Sequence, residues 1–216
     1  MKNLALATIV FGGLAVAACQ PAGNDMGTEE PAPMGGPLEP ATPPVAAIPE
    51  GVVLFAGSNL DSFNTLGEPE WNIIDDYVEA ESPSRGFLVS KDTYADFRLQ
   101  AEFYPGPGTN SGIFIRCQDP GDITAGNCYE INVADTNDNP DSRTGSVVGH
   151  APPRVPVASD GQWNTMVIVA DGPSITVTVN GTVTAEANDD GLASGPFALQ
   201  INGGLIRFRN VRLGLL

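Results

Sequence analysis

The chain has 216 residues, and its 26 acidic side chains outnumber 10 Lys and Arg, giving a net charge of −16. A balance this acidic argues against nucleic acid as a partner and against electrostatic attraction to anionic lipid. Residues 51–216 are numerous enough for one domain with a substantial apolar core.

The N-terminus has the build of a bacterial lipoprotein signal. Met1–Asn3 carries a positive charge, and Leu4–Ala18 is apolar but too short for a stable membrane-spanning helix. The apolar run leads into Leu14–Cys19 (LAVAAC), which resembles a lipobox, the motif in which a cysteine thiol is acylated. We therefore expect residues 1–18 to be a signal peptide and Cys19 to be the lipidation site. The alternative is an ordinary secretory signal that is cut just before this cysteine.

A linker follows the signal. Gln20–Glu50 contains eight prolines, five acidic residues and no Lys or Arg. Such a composition buries too little apolar surface to fold, so we expect residues 19–50 to comprise the acylated cysteine and an extended tether. Gln20 stands where an Asp usually retains a lipoprotein in the inner membrane. The expected location is therefore the outer membrane, facing the periplasm or the cell surface, with the lipid anchor as the only membrane contact.

Residues 51–216 show strand-like alternation and no sustained helical period. The alternation is clear in Ala95–Phe103. Further predicted strands are Gly112–Arg116, Tyr129–Asp135, Thr165–Ala170, Ser174–Asn180, Phe197–Asn202 and Ile206–Leu213. Turn dipeptides such as Asn180-Gly181 and Gly203-Gly204 separate them. Many short strands at this spacing predict an all-β sandwich.

Several segments follow one another in the order of a known family. Val53–Leu60 resembles the opening LFNGKDL strand of that family, and Asn110–Arg116 matches its most distinctive motif. Tyr129–Asp135 resembles its YEhQhhD strand, where h is an apolar residue. Over essentially all of residues 51–216 the chain resembles the 3-keto-disaccharide hydrolase domain. The resemblance implies a concanavalin A-like jelly-roll β-sandwich of two antiparallel sheets.

Strand parity predicts a face rich in planar polar side chains. Alternate residues of a strand share a face, so Glu130 and Asn132 point the same way. A solvated outer face is the alternative, but Glu, Asn, Gln and Arg side chains suit sugar hydroxyls. We expect a sugar-binding face that carries Glu102, Arg116, Glu130, Asn132 and Gln200. Asn132 stands where the family usually has Gln.

The resemblance implies cleavage of glycosides already oxidised at C3. The ketone acidifies the C2 proton, so one base can remove it and the C1 substituent then leaves, with or without addition of water. The base is Glu130 or His150, the single histidine, which in the alternative is merely an exposed loop residue. Arg116, with Asn132 or Gln200, would hold the sugar oxygens. A divalent metal ion could polarise the ketone, but no His, Asp and Glu spacing identifies a site, so no cofactor is assigned.

Two other functions fit the same residues. A non-catalytic carbohydrate-binding domain would use the same face without a base. A structural cell-surface protein would need only the tether. Turnover of a 3-keto-disaccharide separates the enzyme from both alternatives, and saturable sugar binding separates the second from the third.

Cys117 and Cys128 lie just after one predicted strand and just before the next. The expected compartment is oxidising, and adjacent strand ends would bring the two thiols together. We therefore expect a disulfide that stabilises the fold by roughly 2–3 kcal/mol on a loop-closure estimate. Buried free thiols are the alternative.

The anchor can be tested by substituting Cys19→Ala. Because this thiol is the acylation site, the variant should accumulate as an unprocessed or soluble protein. Phase partition in detergent measures the outcome. If the variant enters the detergent phase like wild type, Cys19 does not carry the anchor.

Overall fold

The computed structural model describes residues 52–216, so the predicted signal peptide and tether lie outside the described residues. The described part forms β-strands and one short 3-10 helix. They are β1 Val52–Phe55, β2 Phe63–Gly67, β3 Asn72–Ile74, β4 Tyr77–Ser90, β5 Phe97–Pro105, β6 Ser111–Ile115, β7 Tyr129–Val133, the 3-10 helix Pro140–Ser142, β8 Asn164–Asp171, β9 Ser174–Val179, β10 Thr182–Asn188 and β11 Ala198–Leu215. Within residues 52–216, no helix has the length and apolarity needed to cross a membrane.

Two long strands, β4 and β11, connect two antiparallel sheets. The small sheet has the order β7-β6-β11-β4-β2 and uses residues 198–202 of β11 with residues 85–90 of β4. The large sheet has the order β10-β9-β8-β5-β11-β4-β3 and uses the other ends of the two long strands. Strand β1 pairs with the last part of β11. The predicted jelly-roll β-sandwich is confirmed.

One apolar core fills the space between the sheets. It contains inward side chains of the small sheet, such as Ile131 and Leu199, and of the large sheet, such as Leu99 and Ile168. All four are fully buried, and each contributes roughly 1.5–3 kcal/mol through removal of apolar surface from water. Burial alternates residue by residue along Phe97–Pro105, as the sequence pattern predicts.

The turn predicted at Gly203-Gly204 is wrong, because both glycines lie inside β11, an unbroken strand of 18 residues. Both glycines adopt positive φ, 115° and 91°, and the register with β4 shifts between Asn202 and Gly204. A Cβ at Gly204 would lie 2.6 Å from the hydroxyl of Thr109. The glycines therefore bend the strand from one sheet into the other instead of reversing it.

The predicted disulfide between Cys117 and Cys128 is confirmed. It closes the β6–β7 loop at the outward face of the small sheet. Ile123 of this loop packs with Phe87 and Phe114 in a second apolar cluster. One half of the outward face is therefore covered by apolar side chains, and the other half is left to polar ones.

Arg116 is a structural residue in this fold, and its predicted position on the sugar face is wrong. Its φ of 52° takes the side chain out of the alternation of β6. The guanidinium is buried, with Nε donating to the Ala95 carbonyl at 2.8 Å. The other nitrogens donate to the carbonyls of Gly172 at 2.7 Å and Leu192 at 3.2 Å, and to Asp96 at 3.1 Å. One side chain thus joins three separate loops.

Arg116→Met should lower the free energy of unfolding by roughly 3 kcal/mol, because it leaves buried carbonyls without a donor. Arg154→Met is the matched control, since the ion pair of Arg154 with Glu186 is half-exposed and is worth about 0–1 kcal/mol. Urea denaturation measures both variants. Equal losses of stability would contradict the structural role of Arg116.

Candidate functional site

A row of residues crosses the polar half of the outward face. Asn132 of β7 lies opposite Gly112 of β6, and Gly112 lies opposite Gln200 of β11. Ser146 extends the row beyond β7, where its carbonyl accepts a hydrogen bond from the Asn132 amide at 3.2 Å. Directly opposed residues of antiparallel strands share a face. We call Ser146, Asn132, Gly112 and Gln200 the polar row.

The polar row contains three buried side-chain oxygens that have no hydrogen-bond partner within the described part of the chain. They are Oγ of Ser146, Oδ1 of Asn132 and Oε1 of Gln200, on residues that are at most 3 % exposed. Each unpaired buried group costs about 1–3 kcal/mol, so each requires a partner that the described part of the chain does not supply, such as a water molecule or a ligand. Nδ2 of Asn132 donates to the Ser142 carbonyl, which leaves Oδ1 as an acceptor. The row therefore suits a ligand with hydroxyl donors.

Glu130 lies on the same face of β7, two residues before Asn132 and opposite Phe114. Burial raises the pKa of its carboxyl to about 7, against the opposing effect of the Arg85 charge. The carboxyl therefore gains and loses its proton near neutral pH. A carboxylate with such a pKa is a stronger base than an ordinary one and is well matched to proton abstraction.

Arg85 supplies the positive charge of this face. It lies on β4 opposite Asn202, is exposed, and holds its guanidinium carbon 5.8 Å from the ring centre of Phe87. The charge of Arg85 lowers the pKa of Glu130 and so opposes part of the rise caused by burial. Arg85, and not Arg116, therefore carries a guanidinium on the outward face of the small sheet.

Glu102 does not share a face with Glu130, contrary to the prediction. It lies on β5 in the large sheet and accepts hydrogen bonds from Arg209 at 2.7 Å and Asn210 at 2.8 Å. The Arg209 guanidinium also stacks 4.1 Å from the ring centre of Trp163. Parity along one strand does not show to which sheet the strand belongs. The sequence pattern therefore could not separate Glu102 from Glu130.

His150 stands apart from Glu130. It lies in the hairpin 147–151 beyond the edge of the small sheet, with its ring centre 5.1 Å from that of Tyr129. Its Nδ1 is 3.6 Å from a carboxylate oxygen of Asp189. Because Tyr129 and Glu130 point to opposite faces of β7, the imidazole does not lie beside the carboxyl.

The structure brings Glu130, Asn132 and Gln200 together, and it adds Arg85 and Ser146, which sequence reasoning missed. Arg85 has the parity of Phe87 in the same strand, so its position was open to prediction once β4 was recognised. Ser146 follows a glycine in a segment without visible alternation, so no sequence signal marked it.

A divalent metal ion is another group that can polarise a ketone. Among residues 52–216, no group of three or more His, Cys, Asp or Glu side chains is arranged to hold a metal ion.

Comparison with known proteins assigns the family. The model of the 3-keto-alpha-glucoside-1,2-lyase-like domain matches residues 50–214. The chain belongs to this family. The resemblance seen in the sequence is thereby confirmed, and the membership indicates a carbohydrate-active function. The comparison with curated proteins gives no match.

Solved structures share the fold of this family member. A candidate glycosyl hydrolase from Parabacteroides distasonis ATCC 8503 is 28 % identical with a TM-score of 0.67, and the match covers 78 % of this chain and 100 % of the other. A second one from the same organism is 18 % identical, with a TM-score of 0.68 and coverage of 77 % and 94 %. The carbohydrate binding module CBM66 from Bacillus subtilis is 17 % identical, with a TM-score of 0.56 and coverage of 70 % and 94 %.

The raised pKa of Glu130 can be tested through stability. The folded protein keeps this proton up to about pH 7, whereas the unfolded chain releases it near 4.5. Raising the pH from 5 to 8 should therefore cost the wild type stability, by at most ~3 kcal/mol, and Glu130→Gln should escape that cost. Denaturation at several pH values measures the difference.

Glu81→Gln is the control, because Glu81 is an exposed carboxylate of the large sheet. Its stability should follow that of the wild type across the same pH range. If the Glu130→Gln curve also runs parallel to the wild type, the Glu130 carboxyl is not held in its neutral form by burial.

Proposed function

We propose that this chain cleaves glycosides oxidised at C3 by removing the C2 proton and expelling the C1 substituent. The observation that carries the proposal is the Glu130 carboxyl, with a pKa of about 7, beside the unpaired acceptors of the polar row. Membership of the 3-keto-alpha-glucoside-1,2-lyase-like family supports it. The reaction needs one base and does not need the paired carboxylates of ordinary glycosidases.

Glu130 acts as the base in the first step. Its carboxylate takes the C2 proton, and the electrons of the C–H bond form a C2–C3 double bond while the ketone oxygen becomes negative. The ketone makes this proton unusually acidic, and a base whose pKa lies near the working pH combines availability with strength. Burial of the carboxyl supplies that pKa.

Arg85 and the polar row stabilise and orient the sugar. The guanidinium of Arg85 is a charged donor on the same face and offsets the negative charge that develops on the C3 oxygen. Asn132 and Gln200 accept hydrogen bonds from ring hydroxyls through their unpaired oxygens. These bonds hold the C2 proton against the base, and such positioning lowers the barrier of the proton transfer.

The leaving group departs in the second step. The electrons of the enediolate return to re-form the ketone and create a C1–C2 double bond, and the C1–O bond breaks with its electron pair on the leaving oxygen. That oxygen takes up a proton. The product is an unsaturated 3-keto sugar, and later addition of water at C1 would turn the elimination into a net hydrolysis.

Incubation with 3-keto-trehalose and 3-keto-lactose should release monosaccharide, measured by chromatography. Glu130→Gln should reduce turnover by roughly 10²–10⁴-fold while leaving sugar binding largely intact, because it removes the base but keeps the shape. Below about pH 7 the wild-type kcat/KM should fall about tenfold per pH unit as Glu130 becomes protonated.

Glu81→Gln is again the matched control and should retain full turnover. If Glu130→Gln keeps wild-type turnover, the base is another residue. A pH profile of kcat/KM without a transition near pH 7 would also show that Glu130 does not take part in the proton transfer.

A non-catalytic carbohydrate-binding domain is the second candidate function. The unpaired acceptors of the polar row favour it equally well, because hydroxyl recognition needs no base. The fold shared with CBM66 supports it as a precedent. Saturable binding of 3-keto-disaccharides without release of monosaccharide, with or without added divalent metal, would favour this function over catalysis.

We also propose that the domain works at the cell envelope, held by acylated Cys19. The support is the lipobox-like end of the signal and the proline-rich composition of residues 20–50. A tether of this kind would let the sugar-binding face meet soluble oligosaccharides while the chain stays on the membrane.

A further inference from the structure

Departure of the C1 substituent requires a hydrogen-bond donor on the same face as Glu130. The C1–O bond breaks with its electron pair on the leaving oxygen, and a donor aimed at that oxygen stabilises the charge. Because C1 and C2 are adjacent atoms of one ring, the donor must lie close to the base. His150 does not meet this condition, since it packs against Tyr129 on the opposite side of β7.

Ser146 places a hydroxyl on the required face, next to the strand that carries the base. The Asn132 amide donates to the Ser146 carbonyl at 3.2 Å, and the Val148 amide donates to the Glu130 carbonyl at 2.9 Å. Ser146 is therefore the diagonal neighbour of Glu130 on the same face, and such neighbours lie about 7–8 Å apart. The carboxyl and the hydroxyl are thus close enough to meet adjacent atoms of one sugar ring.

The Ser146 hydroxyl is buried and has no hydrogen-bond partner within residues 52–216. The other two unpaired atoms of the polar row are the amide oxygens of Asn132 and Gln200, which only accept hydrogen bonds. A serine hydroxyl also donates. Of these three atoms, Oγ of Ser146 is therefore the one that can donate to an oxygen that gains negative charge.

Arg85 sets the direction in which the leaving group points. The segments of the small sheet follow one another in the order Ser146, β7, β6, β11 and β4, so Ser146 and Arg85 lie on opposite sides of Glu130. In the sugar, C1 and C3 likewise lie on opposite sides of C2. With the negative C3 oxygen toward the Arg85 charge, C1 and its substituent point toward Ser146.

Resting on the elimination proposed above, we propose that Ser146 is the catalytic hydrogen-bond donor to the leaving oxygen and that the leaving sugar lies at the Ser146 end of the polar row. Glu130 takes the C2 proton. The electron pair of the C1–O bond passes to the leaving oxygen, to which the Ser146 hydroxyl donates. Solvent water then protonates that oxygen, and the resulting hydroxide takes the proton from Glu130, which restores the carboxylate.

Two substrates that share one 3-keto-glucosyl group test the donor. 3-Keto-trehalose has a basic alkoxide leaving group, whereas 4-nitrophenyl 3-keto-α-glucoside releases a weakly basic phenolate that needs little stabilisation. Ser146→Ala should lower kcat/KM roughly 10²-fold for the disaccharide and less than ~3-fold for the nitrophenyl glycoside. Equal losses on both substrates, or no loss on either, would overturn the role of Ser146.

Stability gives a second readout, which a merely structural serine would fail. Because the Ser146 hydroxyl has no partner in the described part of the chain, Ser146→Ala should leave the midpoint of urea denaturation unchanged or raise it. A lower midpoint would show that the hydroxyl is bonded within the protein and would contradict its role toward the sugar.

Ser111→Ala is the matched control, because the buried Ser111 hydroxyl donates to the Gln200 carbonyl at 2.6 Å in the same sheet. It should lower the urea midpoint and leave the ratio of kcat/KM between the two substrates unchanged. If the wild type turns over neither substrate, the elimination fails and the role of Ser146 fails with it. If the wild type turns over both and Ser146→Ala keeps the wild-type ratio, the elimination stands and the donor role alone is wrong.

Discussion

Strands β4 and β11 both pass from one sheet into the other, and the arrangement of both sheets follows from this shared passage. Because these strands pair with each other along most of their length, both sheets must bend at the same place. The two glycines of β11 permit this bend where a residue with a side chain would be strained or would clash with Thr109. The core between the sheets and the outward face of the small sheet are both consequences of that shared bend.

The same bend separates polar residues that seem equivalent in the sequence. Glu102 and Arg209 form a pair on the large sheet, where each satisfies the other. Gln200 lies in the part of β11 that belongs to the small sheet, where its amide oxygen has no partner among residues 52–216. Strand β11 therefore carries one member of an ion pair near one end and a buried amide oxygen without a partner near the other.

The face that contains Glu130 is costly for the fold. A carboxyl whose ionised form is disfavoured by burial and three unpaired polar oxygens each oppose folding, whereas an apolar surface would not. The disulfide and the hydrogen bonds of Arg116 stabilise the neighbouring loops and offset part of that cost. Destabilising groups of this type are expected at a functional site, where a side chain is retained for its chemistry and not for its effect on stability.

Local parity predicted the fold class and the shared face of Glu130 and Asn132, because both depend only on alternation within one strand. It failed for Arg116, where a single positive φ redirects the side chain, and for Glu102, where sheet membership depends on distant pairing. It also failed at Gly203-Gly204, since two glycines permit a reversal and a bend equally well. The position of Glu130 within a strand and beside Asn132 also predicted partial burial and a raised pKa, and both are found.

The buried Arg116 has a consequence for how this chain can diverge. Its guanidinium holds the Leu192 carbonyl, while the Leu192 amide donates to the hydroxyl of Tyr129, which in turn bonds Asp189. A residue outside the polar row thus fixes the turn that carries Asp189. Because Arg116 holds this turn through a backbone carbonyl, the side chain at position 192 can change without loss of the hydrogen bond, whereas a change at position 116 removes it.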